Sequence, residues 1–345
     1  MNDDLGINEL TPNIHAANST PPGRSPLEPV VPKVMSAVGY HRYGSPEVLE
    51  PIMAVTPKPG VADVLIRVRA ASVNPIDYRL RKGELRWVLP GGFPRIPGFD
   101  IAGDVVRCPA DAPCSIGDRV FAFLDNMYGG GYAEYAACSV QCVAKMPESM
   151  SYEQGAAIPL AASTALQSLR DHGAIQPGNR VLIYGASGAV GAYAVQIAKS
   201  FDTHVTAVAR GEHEEYVRSI GADAFIDRSL CDFTQSDQRW DLIFDAAGKS
   251  SFLACSQVLA PGGHYVTTEP TLWGAMVSAA SVILPKHSSV MLARPRATDM
   301  HDLAARFARQ ELRVEISDVI ALDEASWAHR QLEAGIGRGK LVLRV

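Results

Sequence analysis

The 345-residue chain lacks any apolar run long enough to cross a bilayer, which takes about 20 residues in succession. Its longest mostly apolar stretch, Trp273 to Pro285, is shorter and carries Ser278 and Ser281. It also lacks a strong charge bias. With 32 Lys and Arg against 37 Asp and Glu, the net charge is -5, which speaks against nucleic acid or an anionic membrane as partner. None of the cysteines (Cys108, Cys114, Cys138, Cys142, Cys231, Cys255) forms a CxxC pair. The one close pair, Cys138 and Cys142, reads as small residues on an Ala-rich strand in preference to a metal half-site. The histidines include no HxxxH pair and have no cysteine neighbours, so a zinc site is not expected. G-x-S-x-G is absent too, and no serine or cysteine triad can be read.

What is present divides into zones. Residues 1–33 are rich in Asn, Pro, Ser and acidic side chains. They bury too little apolar surface to fold and are expected to form a disordered tail. They have neither the basic and apolar segments of a secretory signal nor the Arg-rich character of a transit peptide, so residence in the cytoplasm is expected. From Lys33 to about Pro147, short β-rich runs alternate with Gly and Pro, among them Val64 to Arg69, Ile101 to Val106 and Arg119 to Phe123. This pattern predicts a compact β domain. After Pro159, strands (Arg180 to Tyr184, His204 to Ala209, Ala224 to Asp227, Trp240 to Phe244, Gly263 to Thr267) alternate with helical patterns. That alternation predicts an α/β unit with a parallel sheet covered on both faces. Val314 to Val345 returns to strand, helix, strand.

The strongest motif is Gly185-Ala-Ser-Gly-Ala-Val-Gly191, set between a predicted strand and a predicted helix. Gly188 lets the backbone approach a pyrophosphate, Gly191 lets the helix pack on the strand, and the helix start attracts the anion. The next strand ends Val208-Ala-Arg210, with no carboxylate before Glu212. A guanidinium there suits the extra phosphate of NADPH better than the free ribose hydroxyl of NADH. Arg228 follows the third strand and fits either that region or a solvated loop. Ser72 to Gly83 is the other polar cluster. Its Asn74-Pro75 step fits a pocket floor, and equally a helix start with Pro75 at the first helical position.

Several further stretches share an order and spacing. They are Ala71 to Asp77, Pro94 to Gly103, Gly117 to Phe121, Gly130 to Tyr135, Val217 to Asp223, Pro261 to Gly263 and Gly339 to Leu343. With the glycine turn, they make the chain from Val34 onward resemble the zinc-independent medium-chain dehydrogenase/reductases. The branch is that of the ζ-crystallin-like quinone oxidoreductases and the reticulon-interacting oxidoreductases. The resemblance implies a GroES-like catalytic domain (34–158 and 298–345) interrupted by a doubly wound Rossmann domain (159–297), with the active site in the cleft between them. It implies that Ser187, Gly188, Ala189 and Val190 hold the pyrophosphate, and that Arg210 and Arg228 lie at the adenosine phosphates. It also implies that Thr164, Ala246, Val266 and Thr267 line the nicotinamide side, with Lys340 near the cleft and Asn74 on the pocket floor.

Where zinc-dependent relatives show Gly-His-Glu, this chain has Gly98-Phe99-Asp100. The proton-donating Tyr of enoyl-thioester reductases is replaced by Glu84-Leu85, which leaves Tyr78, Tyr128 and Tyr132 as candidates. Asp125 to Tyr128, and the segment around Leu272, Trp273 and Met276, are expected to shape the acceptor pocket. The resulting expectation is an NADPH-dependent, metal-free reductase of a small enone or quinone, and a possible homodimer. The competing expectation is an NADPH-binding interaction or regulatory protein without catalysis.

Overall fold

The computed structural model describes residues 29–345 except 88, 90, 271, 282, 283, 336 and 337; of residues 272, 273 and 275 only the backbone is described. The expected tail through residue 28 and the side chains of Leu272 and Trp273 therefore lie outside the described residues.

The first part of the chain is β-rich. Its strands are β1 (Val34–Gly39), β2 (Glu50–Val55), β3 (Asp63–Ser72), β4 (Asp100–Arg107), β5 (Arg119–Phe123), β6 (Tyr135–Ser139) and β7 (Val143–Lys145). Helix α1 (Pro75–Lys82) follows β3, and α2 (Tyr152–Ala157) and α3 (Pro159–Gln167) follow β7. Next come β8 (Arg180–Tyr184), α4 (Ala189–Lys199), β9 (His204–Ala209), β10 (Ala224–Asp227), β11 (Trp240–Asp245), β12 (Leu259–Thr267) and β13 (His287–Val290). The chain ends with β14 (Ile316–Ala321) and β15 (Lys340–Arg344).

β1 and β2 pair with each other, and the other strands form two large sheets. One runs β10-β9-β8-β11-β12-β13, and every neighbouring pair in it is parallel. The order reverses between β8 and β11, which is where doubly wound sheets open a crevice at the strand ends. The other sheet runs β14-β15-β3-β4-β5-β7, with β6 also pairing with β3. The last two strands thus rejoin the sheet begun by the first part of the chain.

The sequence predicts alternating burial along Val64 to Arg69. Arg67 is exposed, yet Leu65 is buried along with Val64 and Ile66. The reason is a second apolar layer, in which Met35, Ala37, Ala133 and Tyr135 cluster with Leu65. A large core cluster includes Ala70, Phe99 and Phe121 from the β-rich part and Leu166, Val181, Ala194 and Val266 from the parallel-sheet part. One apolar core thus crosses between the two parts beside the cleft and limits how far its walls can move.

Candidate active-site cleft

A cleft of about 390 Å³ lies between the parts. It is lined on one side by Val73, Asn74, Pro75, Lys340 and Leu341, and on the other by Tyr184, Gly185, Ser187 to Val190, Arg210, Arg228 and Ala246. Most of the residues singled out from the sequence meet here: Asn74, Ser187, Gly188, Ala189, Val190, Arg210, Arg228, Ala246 and Lys340.

The glycine turn builds the cleft wall. Gly188 caps α4 with extended backbone (φ -76, ψ 166), so the first-turn N–H groups of Ala189 and Val190, which no helix can satisfy internally, face the cleft. A Cβ at Gly191 would sit 2.1 Å from the Gly185 carbonyl oxygen, whereas one at Gly188 would meet nothing closer than 3.4 Å. Gly191 is thus demanded by packing inside the protein, and Gly188 leaves room on the open side. Arg210 and Arg228 line the far end. Arg210 is half exposed and 3.3 Å from Glu212.

Sequence reasoning missed Asp245. It is buried at the end of β11 and accepts hydrogen bonds from the backbone N–H groups of Ala247, Lys249 and Ser250 and from the Tyr265 hydroxyl. One carboxylate thereby shapes the 246–250 loop that closes this wall. An acidic residue ending an apolar strand was the available signal, because buried charges require partners.

At the opposite wall the structure decides between the two readings of Asn74. The residue does occupy the cap position of α1, but its side chain does not cap. Asp77, at the third helical position, ties the helix start to its surroundings, accepting the Asn74 N–H at 2.7 Å with one oxygen and the Gly98 N–H at 2.9 Å with the other. The Asn74 carboxamide turns away: Nδ2 donates to Asp100 at 2.8 Å and Oδ1 accepts from Lys340 at 2.5 Å. Lys340 also donates to the Val73 carbonyl and stands 3.5 Å from Asp100. Asp100 further accepts from the Ser72 hydroxyl and the Leu160 N–H. Burial pushes the carboxyl of Asp77 up to about 7 and that of Asp100 upward, and it pushes the Lys340 ammonium down.

Behind this cluster a polar chain reaches the far side of the β-rich part. Arg81 Nε donates to His329 Nδ1 at 3.3 Å, and His329 Nε2 stands 3.2 Å from the Tyr132 hydroxyl. Since an arginine only donates, His329 carries its hydrogen on Nε2. Burial, aided by Arg81, holds His329 down at about 3 and therefore neutral.

Other expected residues lie elsewhere. Tyr78 is on α1, with the Lys82 ammonium 5.0 Å from its ring centre. Tyr128 stacks on the Arg95 guanidinium at 4.2 Å, beside a separate cavity of about 270 Å³. Tyr132 is fully buried. Thr164 sits on α3 and donates to its own helix at Leu160, while Leu160 and Ala161 provide that helix's share of the cleft. Val266 is core, and Thr267 lines a smaller neighbouring cavity with Gly248 and Glu269. Met276 is exposed. The sequence also gave no sign of the ion pair that spans the two parts, from Arg79 on α1 to Glu269 beyond β12, at 2.7 Å.

Residues 60–148 match the model of the alcohol dehydrogenase GroES-like domain, and residues 220–343 that of a zinc-binding dehydrogenase. Zinc does not fit the donors here. Among the described residues no three His, Cys, Asp or Glu side chains converge, and the oxygens of Asp100 are occupied by protein donors. A chloroplastic quinone-oxidoreductase homolog of Spinacia oleracea is 31% identical over 90% of this chain and 98% of its own length. The mitochondrial NAD(P)H oxidoreductase RTN4IP1 of Homo sapiens is 34% identical over 68% of this chain and 65% of its own. The solved quinone oxidoreductase of Coxiella burnetii superposes with a TM-score of 0.82 at 31% identity, covering 91% of this chain and all of that one. With these relatives, a GroES-like domain joined to a Rossmann-type sheet, and the shared cleft, the chain belongs to the medium-chain dehydrogenase/reductase family, in its quinone oxidoreductase branch, and is an oxidoreductase.

Proposed function

We propose that the chain is an NADPH-dependent reductase of small conjugated carbonyl compounds or quinones that works without zinc. The observation that carries this is the pairing, across one cleft, of a glycine-capped helix start with a carboxamide held in one orientation. Ser187 to Val190 would hold the pyrophosphate, and Arg210, with Arg228 nearby, the 2′-phosphate. When bound, a reduced nicotinamide supplies the hydride, as the cofactor and not the protein carries that chemistry. The protein's part is alignment, exclusion of water and stabilisation of charge. Asn74 has a second Nδ2 hydrogen with no partner among the described residues. Aimed at the acceptor oxygen, it stabilises the negative charge that develops there. Tyr78 and Tyr128 lie off the cleft lining, so we assign the final proton to water.

In the same proposal the first part of the chain and residues 298–345 form the catalytic domain, 159–297 the cofactor domain, and β13, an outer strand of its sheet, a homodimer seam. Among the described residues no helix is long and apolar enough to cross a membrane. Residence in the cytoplasm belongs to the proposal as well.

The test is NADPH oxidation by the purified protein with enone and quinone acceptors, with NADH in parallel. Turnover that prefers NADPH supports the reading. Tight NADPH binding with no turnover on any acceptor would favour the non-catalytic alternative. Asn74→Ala should lower kcat by about a hundredfold with little change in NADPH affinity, and unchanged turnover would remove Asn74 from the mechanism.

A further inference from the structure

We infer that Asp100 and Lys340 form a buried clamp that fixes which way the Asn74 carboxamide faces, so that an N–H and not an oxygen is presented to the acceptor. This rests on the reading of Asn74 as the group that meets the acceptor oxygen, and goes beyond it by naming what sets its polarity.

The clamp follows from strand register. In the antiparallel pairing of β15 with β3, Val342 stands opposite Ser72. The pairing continues past the end of β3, where the Val73 N–H donates to the Leu341 carbonyl at 3.0 Å. Lys340 therefore comes opposite Asn74. On the other side of β3, Asp100 stands opposite Ser72. Three segments distant in sequence thus place an ammonium and a carboxylate on either side of one amide. All three side chains are almost fully buried.

Chemistry then leaves one orientation. An ammonium only donates and a carboxylate only accepts, so the amide oxygen must face Lys340 and the nitrogen must face Asp100. The flipped amide would set donor against donor and acceptor against acceptor inside the protein. With Oδ1 and one Nδ2 hydrogen so engaged, the remaining hydrogen is the group left for the cleft. Asp100 and Lys340 need not touch the acceptor, and each is a positioning residue. The competing account is that they merely staple β15 to β3 and β4.

The test separates the two accounts, using the full-length protein with NADPH and either 1,4-naphthoquinone or but-3-en-2-one. Asp100→Asn/Lys340→Met removes both charges together, so no buried charge is left unpaired. It should lower kcat about tenfold or more while the NADPH dissociation constant stays within about twofold. Lys340→Arg, which keeps a donor, should recover part of the loss. Asn74→Asp/Asp100→Asn is the decisive variant. It keeps the charges and the hydrogen-bond count but turns an oxygen toward the cleft. It should unfold close to the wild-type temperature and yet remain as slow as Asn74→Asp.

If that double variant regains wild-type kcat along with its stability, the clamp is only a staple and the inference fails. A binding readout covers the case of slow acceptors. In wild type, the Asn74 side-chain NH2 signal (assigned by its loss in Asn74→Ala) should show one hydrogen protected from solvent exchange. In Asp100→Asn/Lys340→Met that protection should be lost, and retained protection would overturn the inference. If Asn74→Ala itself turns over normally while the protected hydrogen is seen, the clamp stands and the mechanistic role of Asn74 falls.

Discussion

Gly188 and Gly191 stand three residues apart in one turn, and the structure predicts opposite consequences when each becomes alanine. At Gly191 the new Cβ would lie 2.1 Å from the Gly185 carbonyl oxygen and 2.8 Å from the Ala186 Cα. Backbone must retreat by about 1 Å, and overpacking of this kind costs about 1–3 kcal/mol. At Gly188 the nearest atom would be 3.4 Å away, and φ is -76, which any residue adopts. The free protein should then lose less than about 1 kcal/mol, the small penalty for alanine at a helix cap. The added methyl, however, stands on the side where the phosphates approach. Gly188→Ala should therefore weaken NADPH and NADH alike by about tenfold or more, or roughly 1.4 kcal/mol, since both share the pyrophosphate. Thermal unfolding without cofactor and fluorescence titration with each nucleotide measure the two effects. Gly188→Ala melting normally and binding normally would refute the placement of the phosphates. So would Gly191→Ala unfolding at the wild-type temperature, because the helix would then not be packed as described.

Arg210→Ala should weaken NADPH by about tenfold, the value of a charge-assisted hydrogen bond at a half-exposed site, and leave NADH nearly unchanged. Equal losses for both would remove Arg210 from cofactor choice. The Arg79–Glu269 pair is partly exposed and contributes at most about 1 kcal/mol, so Arg79→Ala should hardly alter unfolding. It should speed NADPH release by up to about fivefold at low salt, a difference that fades at high salt; stopped-flow rates equal at all salt concentrations would contradict the bridging role. Asp77 has its carboxyl raised by burial from 3.8 to about 7. The folded state binds its proton more tightly than the unfolded chain, so the associated stability is full below about pH 4 and is lost as pH rises through 7. The stability difference between wild type and Asp77→Asn should shift by about 4 kcal/mol across that window. Denaturant curves showing a flat difference would place the titration elsewhere.

The parallel sheet and the glycine turn were legible because their signals are local: strand, turn and helix follow one another within twenty residues. The glycine turn and the strand ends beside it therefore line the cleft together, as their local pattern predicts. What could not be read was register. Lys340 and Asn74 are 266 positions apart and Arg79 and Glu269 190, and no periodicity within either segment pairs them. Asp100 did leave a trace. A carboxylate heading the apolar run Ile101-Ala102 announces a buried charge, which needs a partner, yet it was read only as a departure from a zinc triplet. Thr164 shows the opposite failure. The resemblance placed it on the nicotinamide side, and it shares a helix face with Leu160 and Ala161, yet its hydroxyl is turned back to the Leu160 carbonyl and of that helix only Leu160 and Ala161 line the cleft.

The chain leaves the β-rich sheet after β7 and returns to it at β14, so the parallel-sheet body is attached at two places. A body tethered twice cannot twist freely. Its easy motion is a swing about the line joining the two tethers, in the manner of a door on two hinges. Opening and closing of the crevice then reduce to a single angle. Any contact across it, from Arg79–Glu269 to the reach of a bound dinucleotide, is set by that one degree of freedom.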